Sequence, residues 1–285
     1  MRSLERWYLR MTLAMHKTCF YLLAFQFCSL ASFANAADND CGDFGASSSC
    51  NSNLCCKSNS GFFADAELTL LTPHSGSVTI APLSSTAILP ERDLGVGGRY
   101  WLGYRAETGL GFRSRYWSFD QEAVGGPTLD PSLTAQTWDA ELTQLFTRGR
   151  YSFDLSGGVR WGEIDDQVAP VLTESFNGWG STVALSASRQ LGNGPFSLIG
   201  GARGSLLFGD HVVNIVGAPI ASSQEVMPVL EMQLGGEYSQ ELWGTHAFAR
   251  AAFETQLWEL PPTALGLLDQ NIGFVGVTFS TGIRF

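Results

Sequence analysis

The sequence contains little charge and, beyond its N-terminus, no long apolar run. Charged residues make up only 15% of its 285 residues, below the roughly 25% of ordinary soluble domains. No stretch of about 18 or more apolar residues lies outside the N-terminal region, which excludes membrane-spanning helices there. Basic residues are fewer than acidic ones, and the net charge of −10 argues against nucleic acid as a partner.

Apart from Cys19 and Cys28 in the N-terminal apolar run, cysteine is confined to one short segment at 41–56. Cys41, Cys50, Cys55 and Cys56 lie in a Ser/Asn/Gly-rich stretch, and residues 57–285 contain none. In an exported chain such a cluster suggests two disulfides, with the pairing left open. A metal site is an alternative, although the adjacent Cys55 and Cys56 suit a tetrahedral thiolate site poorly. Free or intermolecular thiols are a third interpretation.

Residues 1–36 have the composition of a secretory signal peptide. An apolar run at 19–33 follows Arg10 and Lys17, and the small residues Ala34 and Ala36 come after it. The run is too short for a bilayer-spanning helix, which needs about 20 residues. We therefore predict a signal peptide at 1–36, a Cys-rich tail at 37–60 and a single domain at 61–285.

The domain at 61–285 alternates apolar and polar side chains with the period of two that a β-strand imposes. In the final segment, Phe279, Ile283 and Phe285 share one face while Ser280 and Arg284 lie on the other. Each predicted strand is long enough for a tilted membrane crossing, which takes about 9 to 11 residues. The predicted strands are 62–72, 93–104, 109–119, 135–146, 151–162, 178–189, 195–208, 224–238, 246–258 and 272–285.

Short and long connections alternate between these strands. The short ones are 105–108, 147–150, 190–194 and 239–245, and the long ones are 73–92, 120–134, 163–177, 209–223 and 259–271. This alternation is typical of outer-membrane barrels, which have short periplasmic turns and long outer loops. We predict an all-β, closed antiparallel up-and-down transmembrane barrel of about ten strands, within a range of about eight to twelve. In it the last strand pairs with the first, which removes both edges. The segment SVTIAP in the first long connection can form a further hairpin.

The two faces of the predicted strands differ in chemistry. One face is apolar and uncharged, and the other is predicted to line the lumen, where arginines and carboxylates pair across a narrow interior. The long loops are acidic and would favour cations at the mouth. The inward charges are Asp65, Glu67, Arg99, Arg113, Arg115, Asp139, Glu141, Asp154, Arg160, Arg203, Glu231, Glu237, Arg250, Glu254 and, on the last strand, Arg284.

Aromatic residues on the apolar face cluster toward both strand ends, which favours a membrane barrel over a soluble one. A bilayer has two interfaces at which amphipathic rings settle, whereas a soluble core has no reason to sort its aromatics in this way. The predicted periplasmic belt is Tyr104, Phe146, Tyr151, Phe196, Tyr238 and Phe285. The predicted outer belt is Tyr116, Trp138, Trp161, Trp179 and Phe208.

Several strand segments resemble a known family. FFADAELTLLTP, GLGFRSRYWSFD, WDAELTQLF, GVRWGEI, ARGSLLFG and the closing GVTFSTGIRF are similar to pore-forming outer-membrane proteins related to the Legionella major outer membrane protein. The resemblance implies a passive, porin-like pore for small hydrophilic solutes or ions, with no cofactor and no catalytic residues. The C-terminal Phe285 also resembles the terminal aromatic that the barrel assembly machinery recognises. The expected partners are therefore this machinery and the outer-membrane lipid bilayer.

Catalysis is not expected. His211 follows Asp210 directly, so their side chains should lie on opposite faces, whereas omptin-type proteases space such a pair two residues apart. His74 and His211 are interpreted as solvated loop residues. Asp165 and Asp166, with Glu163 and Glu174, are a weak candidate for loop calcium. Two alternatives to a passive pore remain: a structural or adhesive outer-membrane barrel with a closed lumen, and a soluble ligand-binding barrel.

Overall fold

A computed structural model describes residues 60–75, 78–80, 85–87, 92–121, 132–169, 172–215, 218–242, 245–260 and 271–285. The predicted signal peptide, and the tail with Cys41, Cys50, Cys55 and Cys56, lie outside these residues. No helix in the described ranges is long and apolar enough to cross a bilayer.

Ten long strands form one closed antiparallel barrel, which confirms the predicted fold class. The neighbours run in the order β1, β12, β11, β10, β9, β8, β7, β6, β5 and β4, and β1 and β4 pair to complete the ring. The barrel strands are β1 (Gly61–Ser75), β4 (Gly95–Arg105), β5 (Leu110–Gln121), β6 (Ser132–Arg148), β7 (Tyr151–Ala169), β8 (Leu172–Gln190), β9 (Phe196–Ile215), β10 (Ala218–Leu242), β11 (Thr245–Glu259) and β12 (Asn271–Arg284). Two further strands, β2 (Val78–Ile80) and β3 (Ser85–Ala87), pair as a hairpin that contains part of SVTIAP.

Pairing of the first and last strands closes the barrel. The register between β1 and β12 runs from Phe63 opposite Arg284 to Ser75 opposite Ile272. The backbone N–H of Phe285 donates to the carbonyl oxygen of Phe62 at 2.9 Å. The C-terminal residue is thus tied to the first strand, as the alternation up to residue 285 predicts.

Three of the short turns depend on glycine. Gly109, Gly149 and Gly192 have φ angles of 82°, 62° and 66°, a left-handed conformation that other residues adopt at a cost. They lie between β4 and β5, β6 and β7, and β8 and β9. These tight turns fix the short-turn end of the wall.

Two of the predicted long loops were wrong. Residues 163–177 and 209–223 belong mostly to strands, since β7 reaches Ala169 before β8 begins at Leu172, and β9 reaches Ile215 before β10 begins at Ala218. The alternation continues through these segments and buries Ile164, Phe176 and Val213. The strands β7–β10 therefore continue as a four-stranded extension beyond the outer aromatic residues of their outward face.

The wall is apolar outside and charged inside. Leu102 and Leu234, on the outward face, are each 62% exposed, whereas the inward Arg160 and Asp139 are completely buried. A soluble barrel has the opposite arrangement, and a closed barrel with an apolar outer surface suits a bilayer. The chain is therefore an outer-membrane type of β-barrel.

Candidate functional site: the barrel lumen

The middle of the lumen is filled by paired charges. Ten side chains with five positive and five negative charges meet there, and we call them the ion-pair layer. Its members are Glu67, Arg99, Arg113, Arg115, Asp139, Glu141, Arg160, Arg203, Glu231 and Glu254. All of them belong to the inward set that the sequence predicts.

One pair spans the whole lumen. Arg115 on β5 donates to both carboxylate oxygens of Glu231 on β10, from Nη1 to Oε2 and from Nη2 to Oε1, each at 2.9 Å. These strands are five positions apart in a ring of ten and therefore lie opposite each other. A bidentate bond at this place closes the centre of the lumen, since the planar guanidinium is held at both oxygens.

Asp139 and Glu141 on β6 gather the surrounding arginines. Asp139 accepts from Arg115 Nε at 2.6 Å and from Arg160 Nε at 2.5 Å. Glu141 Oε2 accepts from Arg113 Nε at 2.9 Å, and Glu141 also pairs with Arg203. The low polarity of a buried site makes such pairing necessary, because an unpaired buried charge is strongly unfavourable.

Arg99 forms the second part of the ion-pair layer. Its Nη2 donates to Glu254 Oε1 at 2.6 Å, and its Nη1 pairs with Glu67. Gln233 Nε2 donates to Glu254 Oε2 at 2.7 Å. The pair Arg99–Glu254 joins β4 to β11 across two intervening strands, so it too reaches into the lumen and does not merely link neighbours.

The remaining inward charges lie nearer the short turns, and all of them except Glu237 are more exposed. Arg105 pairs with Asp154 at 2.5 Å, and Arg250 pairs with Glu237 at 2.6 Å and with Asp65 at 3.2 Å. Ser186 on the inward face of β8 is exposed as well. The short-turn end of the lumen is therefore partly open to water, and this opening ends at the ion-pair layer.

Above the ion-pair layer, toward the outer end, the lumen is filled by apolar side chains. Four rings pack against each other, with centroid distances of 6.1 Å for Trp117–Trp258, 6.0 Å for Trp117–Phe274 and 5.2 Å for Phe119–Phe274. We call these rings and their buried neighbours the aromatic layer. Its members are Leu71, Trp117, Phe119, Leu133, Ala135, Ile164, Phe176, Leu207, Met227, Val229, Trp258, Leu260, Ile272 and Phe274.

The two layers are joined by hydrogen bonds. Trp258 Nε1 donates to Gln256 Oε1 at 3.1 Å, and Gln256 Nε2 donates to Glu254 Oε1 at 2.6 Å. Glu254 in turn holds Arg99, whose guanidinium carbon lies 5.9 Å from the centroid of the Trp117 ring. The indole N–H of Trp258 is thus linked through Gln256 to the ion-pair layer.

A third group of buried polar residues lies on the inward face of β7–β9. Arg92 pairs with Asp166, and His211 Nε2 lies 2.7 Å from Glu174 Oε1. The interpretation of His211 as a solvated loop residue was wrong, because the continued strand turns its ring into the interior. His74 is exposed, as expected. Asp210 is exposed on the opposite face from His211, so the two side chains do not form an omptin-type pair.

No group of three or more potential metal ligands comes together in the described part of the chain. The four acidic residues proposed for calcium are divided between faces. Asp166 points inward to Arg92 and Glu174 points inward to His211, while Asp165 lies on the outward side of β7 with Glu163. Partial burial, and then the neighbouring Glu163 carboxylate, raise the pKa of Asp165.

The residues of the two predicted belts are on the outward face. Those of the outer belt form one continuous cross-strand row, in the order Tyr116, Trp138, Trp161, Trp179 and Phe208. Those of the periplasmic belt are exposed near the short turns and the C-terminus, and are Tyr104, Phe146, Tyr151, Phe196, Tyr238 and Phe285. Trp138 and Trp179 pack edge to face at 6.1 Å.

The sequence did not reveal the aromatic layer. Trp117 and Phe119 lie on the same face of β5 as Arg113 and Arg115, so the period of two already predicts that they point inward. The predicted strands ended too early on the outer side, however, and several inward apolar residues were assigned to loops. Extending the period of two through residues 163–177 and 209–223 would have identified Ile164, Phe176 and Val213 as interior residues.

Comparison with known proteins identifies the fold and no family. No protein-family model matches the chain, and no curated protein matches it. Among solved structures, the outer membrane protease OmpT from Escherichia coli is similar with a TM-score of 0.53 and 10% identity, over 80% of this chain and 98% of that chain. The translocator domain of the autotransporter NalP from Neisseria meningitidis matches with a TM-score of 0.39 and 13% identity, over 79% of this chain and 89% of that chain. At such identities the likeness to OmpT concerns the barrel fold alone.

Proposed function

We propose that this protein is a closed outer-membrane barrel that presents the extension of β7–β10 at the cell surface, in a structural or adhesive role. The observation that carries this proposal is the filled lumen. The bidentate pair Arg115–Glu231 crosses its centre, and the packed rings of Trp117 and Trp258 lie above it. A solute would have to displace both layers in order to pass.

The extension suits a presenting surface because its inward face is packed. Val213 and the pair His211–Glu174 are buried there, together with Phe176 of the aromatic layer. From Phe208 to the end of β9 at Ile215 the strand continues for about 23 Å, at about 3.3 Å per residue. At the far end Ile215 and Ile220 are exposed. Rigid strands that end in exposed apolar side chains offer a contact surface.

A narrow passive pore, as the sequence resemblance implies, stays a prediction. The acidic side chains on the outward face of the extension, including Asp165 and Asp210, are compatible with cation enrichment at the surface. Conduction needs a continuous water path, however, and in the described part of the lumen the two layers are almost completely buried.

Planar-bilayer recording tests the closed lumen. Purified wild-type protein should give no regular conductance steps. The charge-balanced variant Arg115→Ala with Glu231→Ala should also remain silent, since the aromatic layer persists. Adding Trp117→Ala and Trp258→Ala to this double variant should produce conductance steps, because side chains of both the ion-pair layer and the aromatic layer are then truncated. Uniform ohmic steps from the wild-type protein would contradict the proposal and support the pore.

Surface labelling tests the placement of the extension. The variant Ser222→Cys, at an exposed position of β10, should react with a membrane-impermeant maleimide on intact cells, above the level of the parent protein. A matched control, Glu107→Cys, lies in the exposed turn between β4 and β5 and should react only after the outer membrane is permeabilised. The reverse pattern would overturn the assigned orientation.

A further inference from the structure

Two arginines flank a tyrosine on the outward wall at the short-turn end. Arg148 lies opposite Tyr151 in the register of β6 and β7, and Tyr151 lies opposite Arg189 in the register of β7 and β8. All three side chains are exposed. Because neighbouring strands are about 4.8 Å apart, the two arginines are separated by roughly 10 Å. We call Arg148, Tyr151 and Arg189 the arginine row.

The row lies directly below lipid-facing aromatic rings. Phe146 and Phe153 are opposite each other in the next outward row toward the bilayer, and both are exposed. The rings of Tyr151 and Phe153 are stacked, with centroids 6.4 Å apart and planes 7° apart. Aromatic rings of this kind settle at the headgroup level of a bilayer. The arginines beside them therefore lie at the depth of lipid phosphates.

The guanidinium of Arg189 is positioned by the tyrosine. Its central carbon lies 5.4 Å from the centroid of the Tyr151 ring. A contact of this kind stabilises the cation while its N–H groups remain available to a further acceptor. Arginine presents these donors in a planar fork that matches two phosphate oxygens.

The positive charge of the row is not neutralised by the protein. Within the described part of the chain, neither Arg148 nor Arg189 pairs with a carboxylate. The nearby Asp154 points into the lumen, where Arg105 binds it at 2.5 Å. A third arginine, Arg150, lies in the adjoining turn and donates to Asn193 at 3.2 Å. This part of the rim therefore carries charge of one sign.

The opposite end of the same strands has the opposite sign. Glu163, Asn177 and Asp210 form an outward row across β7, β8 and β9, just beyond the outer tryptophans. A phosphate group would be repelled by the carboxylates of that row. The charges of the wall thus distinguish one leaflet from the other.

We propose that the arginine row binds the phosphate of an anionic phospholipid headgroup in the leaflet that faces the periplasm. The guanidiniums supply charge and paired donors, and Tyr151 and Phe153 hold the glycerol and upper acyl region beside them. The site is independent of whether the lumen conducts. It would fix the depth and rotation of the barrel on one side, at β6–β8.

Native mass spectrometry of the purified full chain with phosphatidylglycerol and phosphatidylcholine in equal amounts tests the proposal. Wild-type protein should retain phosphatidylglycerol preferentially. Arg148→Gln and Arg189→Gln should each lower the ratio of bound phosphatidylglycerol to phosphatidylcholine by about fivefold, the effect expected for one basic residue near a charged lipid surface. The double variant Arg148→Lys with Arg189→Lys should keep part of the preference, because the charge remains.

The control is Glu107→Gln, which changes one exposed charge in another turn of the same end and should not lower the ratio. Because the arginines are exposed and form no ion pair within the described residues, the variants should fold, and heat-dependent gel mobility verifies this. Equal binding of both lipids by the wild-type protein, or an unchanged ratio in the double glutamine variant, would refute the proposal. If excess inorganic phosphate removes the preference, the row recognises free phosphate and the lipid assignment fails.

Discussion

The ion-pair layer and the aromatic layer fill the same lumen by different chemistry. In the ion-pair layer each charge depends on a partner at a defined distance, as between Arg115 and Glu231. In the aromatic layer, Trp117, Phe119 and Phe274 stabilise the interior by packing that has little directional requirement. The stability of the ion-pair layer should therefore depend on the exact geometry of its side chains, whereas that of the aromatic layer should depend on its apolar volume.

The largest effect is expected from breaking the ion-pair layer at Asp139. Its carboxylate binds Arg115 and Arg160, so Asp139→Asn leaves buried positive charge without compensation. The free energy of unfolding should fall by about 3–5 kcal/mol, measured by urea titration in detergent micelles. Asp210→Asn, at an exposed outward position of β9, is the control and should change it by less than about 0.5 kcal/mol. Equal, small effects of the two variants would contradict the role of the layer.

The next effect comes from the aromatic layer. Trp117→Ala removes a buried ring and should lower the free energy of unfolding by about 3 kcal/mol, near the low end for such truncations. The loss in the free energy of unfolding should lie near this low end because Phe119, Trp258 and Phe274 can shift into the space that the Trp117 ring leaves.

Conservative variants sharpen the contrast between the layers. Trp117→Phe should recover most of the lost stability, since it keeps much of the apolar volume. Asp139→Glu should not recover it, because an added methylene displaces the carboxylate from two arginines at once. The contrast would be contradicted if Asp139→Glu recovered as large a share of the lost free energy of unfolding as Trp117→Phe does.

A smaller effect on stability, with a large effect on assembly, is expected at the C-terminus. The Phe285 side chain is 63% exposed, so Phe285→Asp or its deletion should change the free energy of unfolding by less than about 1 kcal/mol. Insertion into the outer membrane should fall severalfold, far more than any change in the properties of inserted protein. Quantifying the folded barrel in outer-membrane fractions measures this, and unchanged insertion would refute the role of Phe285 in assembly.

The smallest change in stability is expected at the tip of the extension. Ile215→Ser with Ile220→Ser alters exposed side chains and should change the free energy of unfolding by less than about 0.5 kcal/mol. Attachment of expressing cells to an apolar surface should nevertheless decrease if the tip is adhesive. Ser222→Ala, which leaves both isoleucines in place, is the control. Unchanged attachment would argue for a purely structural role.

Much of the wall could be predicted from the sequence because its signals are local. The period of two along β5 separates Phe112 and Tyr116 from Arg113 and Arg115 without knowledge of any partner strand. The ends of the strands were harder to predict. The predicted strand at 195–208 stops too early, because β9 continues to Ile215. There the outward side carries Asp210 and Asn214 beside Val212, so the alternation of apolar and polar residues is weaker and the buried Val213 is harder to recognise.

The contacts that fill the lumen could not be predicted in the same way. Glu231 meets Arg115 only because the barrel places β10 opposite β5, and His211 meets Glu174 only because β8 and β9 extend together. The sequence by itself determined a ten-stranded barrel with an apolar outer wall, since backbone geometry sets the alternation of every strand. Only the tertiary structure decided that paired charges and packed rings fill the described part of the lumen, because ring size, strand tilt and register determine which inward side chains meet.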